Sequence, residues 1–115
     1  MKPPRHFRIL GQRYTVKIVP HSVRDAAMDD ALGASATDAR RVKLEAPSHN
    51  GLSDHHALEV FTHEALHCLI RAQGLQFLFS DDDAEEHLVK AVAPQLLDFL
   101  RSNPQVVEYL TQEMP

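Results

Sequence analysis

His63-Glu64-Ala65-Leu66-His67 places two histidines four residues apart with a glutamate beside the first. On an α-helix such residues lie about 40° apart around the axis and about 6 Å along it, so two imidazoles can converge on one metal ion. Glu64 then sits on the flank of the same face. Two neutral imidazoles and one further ligand would hold zinc with a position left for water, whose pKa the metal lowers toward neutrality. Glu64 would take the proton of that water and pass it to a leaving amine, giving hydrolysis without a covalent intermediate. The expected roles are therefore Zn2+ as cofactor, His63 and His67 as metal ligands and Glu64 as general base.

A third ligand must come from elsewhere. Gln73 and Ile70 stand where the extended three-histidine pattern of metzincins has histidine and glycine, so that pattern is absent. Asp81, Asp82, Asp83, Glu85, Glu86 and His87 cluster at the start of the next expected helix. There Val89, Ala93, Leu96 and Leu100 define an inward face, and Glu86 precedes Val89 by three and Ala93 by seven. Glu86 is expected to point inward as the third ligand. Glu85 and His87 lie about 100° to either side, which makes Glu85 a solvated-face residue and the second choice of ligand. Asp81 to Asp83 suit a helix cap and the helix dipole better than a metal. His56 and Glu59 share the motif face, but His56 is about 10 Å along the axis from His63, too far to bind the same ion. His55 is expected to be exposed, and Tyr14, Tyr109 and His87 are candidate oxyanion donors that sequence does not rank.

These groups need a helix from about Ser53 to Gln73, and its signals are present. Ser53 is a suitable N-cap with Asp54 in the first turn, Leu58, Phe61, Ala65, Cys68 and Ala72 recur at spacings of three and four, and Gly74 stops the run. Ser80 with Asp83 predicts the start of a second long helix carrying Leu88, Val89, Val92, Ala93, Leu96, Leu97 and Leu100 inward. Pro94 inside it predicts a bend or a split near Lys90, and Asn103-Pro104 opens a terminal helix to about Gln112 with Val106, Val107 and Leu110 as its apolar side. Upstream, Phe7–Leu10 and Tyr14–Val19 flank a Gly11-Gln12 turn, which reads as a β-hairpin. Ser22–Leu32 reads as a short helix, and Ala34–Ala36 with Arg41–Ala46 as a second hairpin. The sum is a single α+β domain over 1–115: hairpins and a short helix in 1–46, a metal-binding helix in 53–73, and C-terminal helices in 80–112, with a small antiparallel or mixed sheet packed on the helices.

The 115 residues, 43% hydrophobic and 24% charged, suit one globular core. A net charge of −4 with scattered basic residues makes nucleic acid an unexpected partner. One cysteine excludes an intrachain disulfide. No apolar segment follows the basic residues of Met1-Lys-Pro-Pro-Arg-His6, and no apolar run approaches the roughly 20 residues of a membrane span. A cytoplasmic protein without membrane attachment is expected; oligomeric state is not legible.

With the motif helix and an acidic helix after it, the chain resembles compact gluzincin-like zinc peptidases, often encoded by bacteriophages and mobile elements. That resemblance implies a zincin-like fold with a short βαβ-type front, and a zinc site completed by a glutamate on the following helix. In the repressor-cleaving branch this glutamate lies in Glu-x-x-Ala-Asn-x-Phe-Ala. Here the matching stretch is Glu86-His-Leu-Val-Lys-Ala-Val-Ala93, which keeps Glu86 and Ala93 and has Val89, Lys90 and Val92 at the other three positions. Leu96-Leu-Asp-Phe-Leu-Arg-Ser-Asn-Pro104 is similar to small phage proteins of the same general fold, implying a host cytoplasm or a virion as location.

The leading expectation is a metallopeptidase whose polypeptide substrate lies along an edge strand such as Arg41–Ala46. A non-catalytic zincin-fold module that binds zinc for stability, serving as a phage structural or partner-binding protein, is the alternative. A third reading is a metal-free helical interaction protein using the acidic patch from Asp81 to Glu86.

Overall fold

Tyr14 and Val16, and again Val42 and Leu44, are buried residues separated by polar or solvent-facing neighbours, the period-two pattern of a sheet covered on one face. The computed structural model describes residues 2–19, 33–36, 40–45 and 54–114. Four strands, β1 (His6–Ile9), β2 (Gln12–Val19), β3 (Gly33–Ala36) and β4 (Arg41–Glu45), form one sheet in the order β1-β2-β4-β3. Both expected hairpin pairings are present, β1 with β2 and β3 with β4, each antiparallel. They are joined by a parallel ladder between β2 and β4 with Thr15 opposite Arg41 and Ile18 opposite Leu44, so the sheet is mixed. The helix expected at 22–32 and the Ser53 cap lie outside the described residues.

Two expectations for the sheet need correction. The first turn falls on Leu10-Gly11 and not Gly11-Gln12: Gln12 already pairs with Ile9, and Leu10 and Gly11 have φ of 51° and 78°. Both central residues are left-handed, as a two-residue turn matched to strand twist requires, and only Gly11 adopts this without a steric cost. Second, β4 is no edge. It is hydrogen-bonded to β2 on one side and β3 on the other, so among the described residues the edges are β1 and β3. Alternation identifies the buried face of a strand but carries no information about its neighbours.

Helix α1 (Asp54–Ala72) packs on β3 and β4, with Gly74 in the left-handed conformation after its end, as expected. Cys68 joins Ile9, Tyr14, Val16, Val42 and Leu44 in the core, and Phe7 stacks on Tyr14 at 5.3 Å while meeting the edge of Phe61 at 5.7 Å. These rings fix the rotation of α1 on the sheet, which turns the Cys68 side inward and leaves the His63 side at a margin.

A 3-10 turn at Leu75–Leu78 leads into α2 (Asp82–Ser102), which packs along α1. The cap is Asp81, one residue after the expected Ser80: its side chain accepts a hydrogen bond from the Ala84 amide at 2.8 Å. Pro94 does not split the helix, which continues through it to Ser102. Glu85, Val89 and Ala93 are its buried positions, whereas Leu88 and Val92 are exposed and Leu96, Leu97 and Leu100 only half-buried. The inward face is thus narrower than the seven apolar residues suggested. Asn103-Pro104 opens α3 (Pro104–Thr111) as expected, but α3 buries no residue and Leu110 is exposed. No helix among the described residues is long and apolar enough to cross a membrane.

Candidate metal centre

Cys68 is wholly buried, so its neighbour His67 and Glu64, one helical turn before it on α1, are drawn toward the interior. Glu64 and His67 are accordingly buried, and His63, one turn from His67, lies at the edge of that face. The two imidazoles are 5.0 Å apart between ring centres.

From α2, Glu86 reaches both. Its Oε1 lies 2.6 Å from His63 Nε2 and its Oε2 lies 3.1 Å from His67 Nε2. One ligand atom from each of His63, His67 and Glu86 fits within 4.8 Å of the others, a group that can hold a metal ion. The three residues named from the motif and from helix phase are brought together.

Glu85 departs from expectation. It is no solvated-face residue but 1% exposed, in line with Val89 and Ala93 on the buried stripe of α2. The expected phase leaned on Leu96 and Leu100, which are only half-buried. Setting it by Glu85, Val89 and Ala93 rotates the stripe and puts Glu86 on its flank, half-exposed beside the cleft. Glu85 instead contacts the far nitrogen of His67: Nδ1 lies 2.5 Å from Oε2. The same oxygen accepts from Arg71 Nε at 3.2 Å, while Arg71 Nη2 donates to Asp82 at 3.0 Å. Those bonds, the one to Glu85 first, raise the Arg71 pKa further. Arg71 escaped the sequence reading; its signal was its place four residues after His67.

His67 therefore has a carboxylate at each ring nitrogen. A neutral imidazole carries one proton, and an ionised carboxylate only accepts. With Nδ1–H donating to Glu85, the Nε2 lone pair faces Glu86, acceptor against acceptor. A cation between them, proton or metal, makes that arrangement attractive.

A cleft of about 340 Å³ opens beside the group, lined by Glu64, His63 and Glu86 and extending past His56, Glu59, Lys90 and Pro94. Glu64 is thus at the rim of the site from which a base would act. His55 is exposed, as expected, and pairs with Glu59 at 2.9 Å. The Cys68 thiol is pushed up to about 11, by burial first and by the Glu64 charge second.

The candidate oxyanion donors do not gather here. Tyr109 is 72% exposed on α3, and His87 is exposed on α2. Tyr14 is in the sheet core, where burial, and after it the charge of Cys68, raises its pKa. None of the three lines the cleft.

No protein-family model matches the chain, and no curated protein or solved structure matches it either. The chemistry of the centre is read from its own residues.

Proposed function

We propose that the chain is a zinc-dependent hydrolase of zincin-like type, a metallopeptidase that cleaves polypeptide with Glu64 as general base. The observation that carries this reading is the convergence of His63, His67 and Glu86, drawn from two helices, beside a cleft that Glu64 also lines. Two imidazole nitrogens and one carboxylate suit zinc, whereas magnesium and calcium favour all-oxygen sets. Bound there, zinc would supply Lewis acidity to a carbonyl and acidify a water.

The remaining steps belong to the chain. Glu64 receives a proton from the attacking water as its oxygen bonds to the carbonyl carbon, and returns the proton to the amine nitrogen as the C–N bond breaks. An extended substrate would pair with β3, the edge strand that runs against α1, in place of the interior β4.

The test combines metal analysis with cleavage of a mixed peptide library. One zinc per chain and peptide cleavage are expected, with Glu64→Gln ending cleavage while keeping the zinc. Zinc uptake without cleavage of any peptide would leave a non-catalytic zinc-binding module. Absence of zinc uptake would overturn both.

A further inference from the structure

We infer that Glu85 is a positioning residue that sets the tautomer of His67, holding its proton on Nδ1 so that Nε2 presents a lone pair to the metal. The inference rests on the metal-centre reading above and adds to it the reason His67 faces that centre through one particular nitrogen.

Glu85 shares its buried stripe with Val89 and Ala93, where an apolar side chain would pack without penalty. Removing a carboxylate from water costs several kcal/mol unless other groups compensate it. Glu85 has two such groups, and both converge on Oε2: His67 Nδ1 at 2.5 Å and Arg71 Nε at 3.2 Å. Oε1 is buried with no hydrogen-bond partner among the described residues. The carboxylate is thus held at the oxygen aimed at the imidazole.

The consequence for His67 follows from its valence. A carboxylate accepting at Nδ1 selects the Nδ1–H form, which leaves Nε2 as the only ring atom able to ligate. Nε2 is the nitrogen that faces Glu86. A carboxylate behind a ligating imidazole also raises its basicity and fixes the ring plane. Arg71 completes the arrangement from the same helix as His67. It offsets the Glu85 charge and, through Asp82, ties the end of α1 to the start of α2. Adjacent glutamates, about 100° apart around α2, divide the work: Glu86 faces the cleft, and Glu85 stands behind the ring.

Histidine-selective 15N labelling with long-range 1H–15N correlation reads the tautomer of each ring, and zinc titration against a competing chelator reads affinity. Wild-type protein should carry the His67 proton on Nδ1 without zinc and ligate through Nε2 with it. Glu85→Gln and Glu85→Leu should each weaken zinc binding by about ten- to a hundredfold. Glu85→Leu also strips the acceptor from His67 Nδ1–H and Arg71 Nε, so its metal-free melting temperature should fall as well; the His67 tautomer, which a merely structural carboxylate would not set, separates the two roles. Zinc affinity within about threefold of wild type in Glu85→Gln, or ligation of wild-type His67 through Nδ1, overturns the inference and leaves the metal centre standing. Wild-type protein that takes up no zinc overturns the metal centre itself, and this inference with it. Should both variants fail to fold, the wild-type tautomer alone decides.

Discussion

Replacing Glu86 by glutamine separates a metal centre from a chance cluster, because it is expected to act on the zinc-bound protein and hardly at all on the metal-free one. In the structure Glu86 is half-exposed on the flank of the Val89 and Ala93 stripe, and its carboxylate contacts His63 and His67. Its removal should therefore change metal-free stability by no more than about 0.5 kcal/mol. With zinc the case differs, because the ion would join α1 to α2 through three ligands, and losing Glu86 leaves two imidazoles on α1 alone. At a free zinc concentration of about 100 times Kd, binding to the native state adds about 2.7 kcal/mol. For a domain of this size about 1 kcal/mol moves Tm by roughly 4 °C, so zinc should raise the wild-type Tm by about 10 °C. Differential scanning calorimetry of chelator-treated wild type and Glu86→Gln, each with and without zinc, reads all four states. Magnesium at the same concentration should leave every Tm unchanged. A wild-type Tm indifferent to zinc would refute the centre. A zinc-induced rise of equal size in Glu86→Gln would refute its third ligand.

Three further outcomes follow from local structure. Leu10 is 72% exposed at φ 51°, a left-handed conformation costing an ordinary non-glycine residue roughly 1 kcal/mol or more, so Leu10→Asn should raise the urea midpoint by an equivalent of about 1 kcal/mol. Asp81→Ala should lower stability by about 1 kcal/mol in the same measurement, through loss of the cap on the Ala84 amide. In chelator-treated protein, Cys68 should resist iodoacetamide until the chain unfolds, because it is fully buried. With its thiol pushed up to about 11, the native state keeps a proton that the unfolded chain gives up near about 8.5. Its stabilising contribution is complete below the unfolded value and lost as pH rises toward the folded one, so Cys68→Ala should flatten the alkaline limb of the stability profile.

What the chain's letters revealed was local. The spacing of His63 and His67, the stop at Gly74 and the Asn103-Pro104 junction each depend on a few adjacent residues, and each stands where it was expected. What they concealed was relational. β4 alternates like any half-buried strand, and nothing in Arg41–Glu45 tells that it lies between β2 and β3. On α2, apolar residues cover more of the circumference than the core uses, so the phase drawn through Leu96 and Leu100 was off by enough to exchange the environments of Glu85 and Glu86, though Glu86 still reached both histidines. A carboxylate at 1% exposure contradicts every compositional expectation until its partners His67 and Arg71 are visible. The cleft had no signature, being a gap between two helices.

The Leu75–Leu78 turn between α1 and α2 has a consequence for assembly. His67 and Glu86 are 19 residues apart, and among the described residues no strand contributes a ligand. Bringing them together closes a loop of that length, and the parallel pairing of β2 with β4 closes one only slightly longer, from Thr15 to Arg41, so the two differ by only about 0.3 kcal/mol in closure entropy and neither is favoured to come first. Because His63, His67 and Glu86 all lie on α1 and α2, capture of an ion would not depend on completion of the sheet. A metal ion held there would join the two helices whether or not the strands had already paired.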